Sequence, residues 1–433
     1  MTITYDPSHA LYFDEADLRS ELTRVFDLCH GCRLCLHLCP SFPTLFNFID
    51  ARDGDVHGLT DQEQDRVIDE CYQCKLCYNK CPYVPPHEWE LDFPRLMMRA
   101  NAVKKMQKRQ STRERLADQL LSRTDLLGNV SVRFSGLANR ALSKNSVLLR
   151  KSMDAAMGIA AQRVLPPYAR QRFSAWFKSR MKPFIENCRN KVVLYPTCFI
   201  EYQEPAIGKD LVAVYEKNGI ECSLPEGVKC CGAPWLHSGD VLKFKKVAEK
   251  NVTALVSQAR QGHPIIVSQP TCAYVIKRDY PLYLRTRESR DVAAATFDAA
   301  EFLMDTHKKR GGLDLNFVGD VPESVTYHAP CHLQAQNVGF KSRDLLKLLG
   351  IKVTVVSKCS GIDGTWGYRS DNYELSKKVA RGLIQAIERS DGKVLSGDCH
   401  LANTAITEET DRKVYHPIQI VARAYGLSEE KRQ

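Results

Sequence analysis

The chain has 433 residues with 17 cysteines, a formal net charge of +10, 44% hydrophobic residues and 26% charged residues. This composition is typical of a folded protein with more than one domain and excludes extensive disorder. No apolar run approaches the roughly 18 residues that span a bilayer, and residues 1–19 lack the apolar stretch of a secretory signal, so we expect a cytoplasmic protein without a transmembrane span. Because that compartment keeps thiols reduced, the cysteines indicate metal ligands rather than disulfides.

Charge is spread unevenly and divides the chain into three stretches. Residues 1–100 carry a net charge of −8, residues 101–190 carry +14 and residues 191–433 carry +4. The middle stretch contains a single cysteine, Cys188, and the outer stretches contain the other 16. We therefore predict an N-terminal module, a basic connector and a C-terminal module with these boundaries.

Two copies of one cysteine motif occupy residues 1–100. The pattern C-x2-C-x2-C-x3-C-P recurs after 42 residues, with Cys29, Cys32, Cys35 and Cys39 in the first copy and Cys71, Cys74, Cys77 and Cys81 in the second. Bacterial two-cluster ferredoxins carry this motif twice, and the fourth cysteine of each copy binds the other cluster. The motif predicts two [4Fe–4S] clusters, one held by Cys29, Cys32, Cys35 and Cys81 and the other by Cys71, Cys74, Cys77 and Cys39. Structural zinc is the alternative, but its sites usually have two C-x2-C pairs separated by a longer loop.

A helix is expected to lead into the second motif. Thr60 and Glu63 have the spacing of a capping box, and the helix they begin would run through Val67 and Ile68 toward Cys71. A helix at the entrance of each motif predicts an α-helical two-cluster domain rather than a small β-hairpin ferredoxin.

Residues 101–190 contain few glycines and predict a helical connector. Near the end of the connector, large apolar residues recur at helical spacing, namely Phe173, Trp176, Phe177, Met181 and Phe184. Basic residues are interleaved with them, namely Arg170, Arg172, Lys178, Arg180 and Lys182. Such a helix can lie in a membrane interface and be attracted to anionic lipid. In the alternative, the aromatic residues pack against the C-terminal module and the basic residues face solvent or the acidic N-terminal module. Nucleic-acid binding is disfavoured because no recognition motif accompanies the charge.

Residues 191–433 contain two copies of one α/β unit, which we place at 191–310 and 311–433. Matching cysteines are 133, 129 and 127 residues apart, namely Cys198 and Cys331, Cys230 and Cys359, and Cys272 and Cys399. Alternating strands and helices predict a parallel sheet with flanking helices in each half. Sites in such sheets form at the carboxyl ends of strands, so the cysteines of each half are expected to converge.

The two halves differ in their thiols. In the first half, Cys198, Cys230, Cys231 and Cys272 predict a third iron–sulfur cluster, and Gly232 lets the backbone pass close to it. In the second half Ser360 takes the place of the second adjacent cysteine, which leaves Cys331, Cys359 and Cys399 beside Gly361. Three thiolates could hold a fourth cluster with one differently ligated iron, a three-iron cluster, or no stable cluster. Cys188 and Cys222 have no counterpart in the repeat and are expected to be inert.

Several segments together carry a resemblance to a known family. They are the two cysteine motifs, residues 124–131, Cys230 to Gly232, Tyr327 to His332 and Gly361 to Gly367. With them the chain resembles the C subunits of anaerobic glycerol-3-phosphate dehydrogenases, and its C-terminal module is similar to the CCG domains of heterodisulfide reductases and of succinate- or glycolate-type redox complexes. The resemblance implies an iron–sulfur electron-transfer subunit, cytoplasmic or peripheral on the inner face of the cell membrane. Such a subunit takes electrons from a flavoprotein dehydrogenase and passes them toward membrane quinone.

Three positions depart from the family pattern. Ser360 replaces a cysteine, and Val275 and Ala402 stand where the family pattern places further cysteines. These changes fit a relative with another redox partner, such as a rubrerythrin-like protein that reduces peroxide. A second hypothesis is a thiol–disulfide reductase of the heterodisulfide type that uses the incomplete second site. A redox-sensing regulator is disfavoured, and we expect a component of an oxidoreductase rather than an enzyme on its own.

Overall fold

The computed structural model describes residues 5–183, 185, 188, 190–309, 312–362 and 364–428. The N-terminal part is helical and packs around an apolar core that includes Val25, Phe26, Phe42 and Phe46. Its helices are α1 (Glu15–Cys32), α2 (Ser41–Asp50), α3 (Asp61–Asp69), α4 (Leu76–Lys80) and α5 (Phe93–Met106). The last of them runs past residue 100, so this part and the connector meet within a helix.

Helices enter both cysteine motifs, which confirms an α-helical domain of the ferredoxin type. Helix α1 ends at Cys32, inside the first motif, where Arg33 takes a left-handed conformation with a φ of 52°. Helix α3 begins with the predicted capping box, in which Thr60 and Glu63 bind each other's backbone N–H groups. This helix ends at Asp69, two residues before Cys71, so it delivers the chain to the second motif.

The connector is helical, as its composition predicts. Its helices are α6 (Thr112–Ser122), α7 (Thr124–Arg133), α8 (Ser135–Leu142), α9 (Val147–Met157) and α10 (Phe173–Ser179). The connector is fixed to the C-terminal part by Arg163, whose buried guanidinium donates to the Gly367 carbonyl at 3.0 Å and to the Ser376 hydroxyl at 2.6 Å. It is therefore a packed layer of the fold.

The prediction of one amphipathic helix from Phe173 to Phe184 is wrong. Helix α10 ends at Ser179, and Met181, which follows the helix, is 95% exposed, while Phe184 lies outside the described residues. Pro183 disfavours any extension of a helix toward Phe184, because a proline disfavours helical conformation in the residue before it and lacks a backbone N–H.

The aromatic residues of α10 pack inward. Phe173 and Phe177 belong to the core of the C-terminal part, and Trp176 packs against that core. Arg180 forms a two-pronged ion pair with Glu216 at 3.0 and 2.6 Å and lies over the Phe177 ring. These three rings are thus not available for lipid, and for them the alternative in which the aromatic residues pack against the C-terminal module is confirmed.

The C-terminal part contains two parallel sheets, each of four strands within the described residues. The first has the order β2-β1-β3-β4, with strands β1 (Asn190–Leu194), β2 (Ile220–Ser223), β3 (Ile265–Val267) and β4 (Thr296–Asp298). The second has the order β6-β5-β7-β8, with strands β5 (Ser324–His328), β6 (Lys352–Val356), β7 (Val394–Gly397) and β8 (Val414–Tyr415). The same strand order in both sheets confirms the duplicated α/β fold.

Helices cover the sheets. Those of the first repeat are α11 (Cys198–Tyr202), α12 (Pro205–Lys217), α13 (Ala233–His237), α14 (Val241–Arg260), α15 (Pro270–Tyr274), α16 (Tyr280–Leu284), α17 (Arg287–Ala294) and α18 (Ala299–Lys309). Those of the second are α19 (Cys331–Gln336), α20 (Lys341–Leu348), α21 (Tyr373–Glu388), α22 (His400–Thr410) and α23 (Pro417–Ala424). Leu194 of the first repeat and Val325 of the second lie in one continuous core, so the repeats form one packed body. Among the described residues, no helix combines the length and apolarity that crossing a membrane requires.

Candidate iron–sulfur sites

The cysteines of the first motif lie in the last turn of α1 and in the loop that follows. Burial raises the pKa of Cys29, and the thiolates of Cys35, Cys81 and Cys32 raise it further. Burial, Cys81 and Cys32 likewise raise the pKa of Cys35 to about 11. Cys81 belongs to the second motif, so the fold brings one cysteine of that motif beside three of the first. We call these four thiols the first ferredoxin site.

The second ferredoxin site consists of Cys39, Cys71, Cys74 and Cys77. Burial raises the pKa of Cys39, and the neighbouring thiolate of Cys71 adds to that effect. The pKa of Cys77 is raised by burial, then by Cys74, Cys71 and Cys39, and finally by Cys35 of the first ferredoxin site. The two ferredoxin sites are therefore immediate neighbours.

A buried cation lies within the second motif. Lys75 takes a left-handed conformation with a φ of 64° and is buried, and its ammonium donates to the Gln73 side-chain oxygen at 2.6 Å. The same ammonium lies 3.5 Å from the Met98 sulfur. A buried ammonium requires negative charge nearby. The buried carboxyl groups of Asp92 and Asp279 interact with the Lys75 ammonium, and ligating thiolates of the adjacent cysteines would add to their charge. The motif spacing alone did not reveal this residue.

The first CCG site consists of Cys198, Cys230, Cys231 and Cys272. Cys198 follows β1 at the start of α11, and Cys272 follows β3 within α15. The hydrogen bond to Cys230 raises the pKa of Cys198, and hydrogen bonds to Cys230 and Cys272 raise the pKa of Cys231. Hydrogen bonds from Cys198 and Cys231 hold the pKa of Cys230 well below its usual value. The four thiols are thus linked in a row, Cys198 to Cys230, Cys230 to Cys231 and Cys231 to Cys272.

The backbone of the first CCG site is fixed by buried polar side chains. Gly232 has a φ of 89°, and a Cβ at this position would lie 2.9 Å from the Phe244 ring. Asn251 donates to the Cys230 carbonyl at 3.1 Å, and Tyr280 donates to the Cys231 carbonyl at 3.0 Å. These contacts hold the adjacent cysteines in place without using their thiols.

The second CCG site brings together the three remaining predicted ligands. Cys331 follows β5, Cys359 follows β6 and Cys399 follows β7, and all three line one small cavity of about 20 Å³. Ser360 and His328 line the same cavity. Sulfur atoms accept hydrogen bonds here, because the Gly361 N–H donates to the Cys359 sulfur and the Gln269 amide donates to the Cys399 sulfur, each at 3.3 Å.

The backbone around Gly361 requires glycine. Its φ is 70°, and a Cβ would lie 2.2 Å from the Ser376 carbonyl oxygen, so a larger residue would displace α21. Gly232 and Gly361 thus occupy matching positions in the two repeats, each following the pair that begins with Cys230 or Cys359.

The second CCG site lies directly against the second ferredoxin site. Burial and the Cys359 thiolate raise the pKa of Tyr72, and Cys359 also contributes to the raised pKa of Cys74, after burial and Cys39. The rings of Tyr72 and Trp366 are 5.1 Å apart, and the Trp366 indole N–H donates to the Asp69 carbonyl at 2.8 Å. Tyr72 and Trp366 therefore fasten the end of the N-terminal part to the second repeat.

The two CCG sites are also in contact. The Gln269 side chain, three residues before Cys272, donates to the Cys399 sulfur and accepts from the His400 N–H at 3.2 Å. The rings of Phe199 and His400, which follow Cys198 and Cys399, stack with centroids 4.1 Å apart. Each CCG site thus touches the other through residues next to its own cysteines.

Three of the four groups contain four thiols and fit iron–sulfur clusters. Thiolate sulfur is the soft donor that such clusters take. Crowded, buried thiols resist ionisation because each thiolate repels the next, so the ionised set requires bound cations. Bound clusters would supply that charge and would accept and release single electrons. No three His, Cys, Asp or Glu side chains of the described ranges converge as they would around one metal ion.

Comparison with known proteins agrees with this arrangement. The cysteine-rich CCG domain family matches residues 192–277 and 325–405, and the Fer4-like domain family of citrate utilization protein B matches residues 22–108. The C subunit of the anaerobic glycerol-3-phosphate dehydrogenase of Escherichia coli strain K12 is 31% identical over 317 residues, which cover 72% of this chain and 78% of that protein. The chain belongs to the family of these C subunits. The similarity therefore extends beyond the CCG domains.

More distant relatives match only parts of this chain. The B subunit of the fumarate reductase (CoM/CoB) of Methanothermobacter marburgensis is 26% identical over 57% of this chain and 49% of its own length. Lactate utilization protein A of Bacillus velezensis is 26% identical over 48% of this chain and 87% of its own length. The ferredoxin and CCG modules thus recur in several redox systems.

In the present chain, the connector also supports the first CCG site. The Asp125 carboxylate accepts the backbone N–H of Cys230 at 2.9 Å and the Tyr202 hydroxyl at 3.2 Å. Burial raises the pKa of Asp125, and Cys230 is the next cause. Gly128, one turn along α7, allows close approach, since a Cβ there would lie 2.4 Å from the Tyr202 ring. Asp125 lies in a segment that carries the family resemblance, and its local sequence predicts no role for it.

Proposed function

We propose that the chain is an iron–sulfur electron-transfer subunit whose sites lie in series. The order is first ferredoxin site, second ferredoxin site, second CCG site and first CCG site. The observation that carries this proposal is the position of Cys359, which lies against Tyr72 and Cys74 and so joins the two modules. Short gaps between successive sites are what a chain of one-electron carriers requires.

We further propose that each four-thiol set holds one [4Fe–4S]-type cluster with the predicted ligands. The residues around them exclude water, since Cys74, Cys77, Cys230, Cys231 and Cys272 are all buried. Cys32 is the exposed thiol of the first ferredoxin site. Leu34, two residues away, is also exposed, so this end of the series is open to a redox partner. A flavoprotein dehydrogenase is the donor we infer from the family, and quinone is the acceptor.

A test of this function uses the full chain, purified without oxygen and reduced chemically. We expect the reduced protein to transfer electrons to a soluble quinone analogue and to catalyse no turnover of thiols or disulfides. The thiol–disulfide alternative is favoured by the cavity beside Cys359 and Ser360. A paramagnetic species that forms only on addition of thiol would support that alternative and contradict the transfer role.

The surface suited to membrane contact lies outside α10. Helices α7 to α9 expose large apolar side chains, namely Leu126, Val130, Phe134, Leu137, Val147, Leu148 and Leu149. Four exposed basic residues lie along the same part of the chain: Arg133, Arg140, Lys144 and Lys151. We infer that this α7–α9 surface rests on anionic lipid, because exposed apolar and basic side chains together favour the interface.

We predict that Leu148→Asp weakens binding to anionic vesicles about tenfold or more. Leu148 is 84% exposed, and transfer of a leucine side chain from water is worth about 1.5–3 kcal/mol. The measurement is co-sedimentation with phosphatidylglycerol vesicles, with Leu242→Asp as the matched control because Leu242 is exposed on α14 of the first repeat. Equal weakening by both variants, or no binding of the unaltered chain, would contradict the inference.

A further inference from the structure

His328 is a buried histidine at the carboxyl end of β5 with one uncommitted ring nitrogen. Its Nε2 lies 3.0 Å from the Lys358 carbonyl oxygen, which can only accept, so Nε2 carries the proton and Nδ1 bears the lone pair. Nδ1 is buried and has no hydrogen-bond partner among the residues that the structure describes. The side chain lines the cavity that also contains Cys331, Cys359 and Cys399. His328 therefore brings a buried nitrogen lone pair to the cavity that the three thiols line.

The first repeat provides an internal comparison. Tyr195 precedes Cys198 by three residues, as His328 precedes Cys331. The Tyr195 hydroxyl donates to the carbonyl of Lys229, the residue before Cys230, just as His328 donates to the carbonyl of the residue before Cys359. The same backbone contact is thus made by a phenol in one repeat and by an imidazole in the other.

This difference coincides with the missing thiol. The repeat that has four thiols carries tyrosine at the matched position, and the repeat in which serine replaces a thiol carries histidine there. A histidine that binds a metal typically donates its other ring N–H to a backbone carbonyl, which is the contact that His328 makes. Both observations concern the same cavity and point to the same nitrogen.

We propose that Nδ1 of His328 is the fourth protein ligand of the second CCG site, beside Cys331, Cys359 and Cys399. The site then holds an iron–sulfur cluster with one iron bound by nitrogen. This inference rests on the proposed function, since it assigns a ligand within the same series of sites. Replacing a thiolate by neutral imidazole lowers the negative charge on a cluster and raises its reduction potential.

Other buried histidines near the site are differently placed. Both ring nitrogens of His332 have partners, with Nδ1 3.1 Å from the Thr271 hydroxyl and Nε2 3.1 Å from the Gln73 carbonyl. His400 stacks between the rings of Phe199 and His416 and does not line the cavity. His400 is therefore a suitable control, since it is equally buried and follows a predicted ligand.

The test is pulsed EPR of the full chain, purified without oxygen and labelled with ¹⁵N-histidine. The signal of the second CCG site is the one that Cys359→Ser removes. We expect this signal to show a histidine-nitrogen coupling that changes with the label, disappears in His328→Tyr and persists in His400→Gln. The tyrosine variant carries the residue of the first repeat and can keep the contact with Lys358.

Each result of this experiment either supports or overturns His328 as a ligand. A coupling that is absent from the unaltered chain, persists in His328→Tyr or is lost in His400→Gln would overturn the proposal, as would stoichiometric zinc at this site. If His328→Tyr loses the cluster altogether, the labelled unaltered chain still decides by the presence or absence of the coupling. Retention of about 12 irons in the other three sites, without any nitrogen coupling, would refute this ligand alone and leave the proposed function intact.

Discussion

Replacing Cys231 by serine is expected to empty the first CCG site and to lower the iron content by about four atoms per chain. Cys231 is hydrogen-bonded to both Cys230 and Cys272, so it lies in the middle of the four thiols. A serine oxygen is a hard, weakly acidic donor and a poor substitute for thiolate at iron. Tyr195, at the position of His328, offers no nitrogen that could replace the lost sulfur.

The measurement is iron and acid-labile sulfide per chain after purification without oxygen. Cys188→Ser is the control, because Cys188 is exposed and belongs to none of the four sites. Circular dichroism distinguishes loss of a cluster from loss of the fold. A Cys231→Ser protein with the full iron content would show that the first CCG site is not held by these four thiols.

Replacing Cys39 by alanine is expected to remove the cluster of the second ferredoxin site, although Cys39 belongs to the first motif. The thiolate that acts on Cys39 is that of Cys71, whereas Cys81 neighbours Cys29 and Cys35. Since the second ferredoxin site lies between the exposed site and the CCG sites, we expect electron transfer from a donor protein to quinone to fall by at least an order of magnitude.

Cys81→Ala is the reciprocal variant for this prediction. It should remove the first ferredoxin site and leave the second, so that a small chemical reductant still reaches the CCG sites at the normal rate. EPR of the two reduced variants identifies which cluster each has lost. Loss of the same signal in both variants, or loss of the first-site signal on replacing Cys39, would contradict the crossed ligand sets.

Local patterns allowed the larger part of the fold to be predicted. The two cysteine motifs and the capping box of Thr60 and Glu63 depend on residues close in sequence, so their spacing fixes their local structure. The duplication was visible because the offsets of 133, 129 and 127 residues hardly differ. The cysteines could be assigned to the carboxyl ends of strands because sites in parallel sheets form at that edge.

Contacts between distant segments could not be predicted in the same way. Helical spacing showed that Phe173 and Phe177 share an apolar face, but not that the core of the repeats covers it. The bond from Asp125 to Cys230 joins residues 105 positions apart, and the contact of Trp366 with Asp69 joins residues 297 apart. The proposed role of His328 depends on the contacts of its two ring nitrogens and of its counterpart Tyr195, which the fold sets and the local sequence does not.

The proposed series of iron–sulfur clusters requires this chain to contain both iron and labile sulfide. Analysis of iron, acid-labile sulfide and zinc in the full chain, purified without oxygen, tests that claim most directly. We expect about 16 irons and a similar amount of sulfide per chain, with four cluster sites including the one completed by His328. Stoichiometric zinc without labile sulfide would contradict the account.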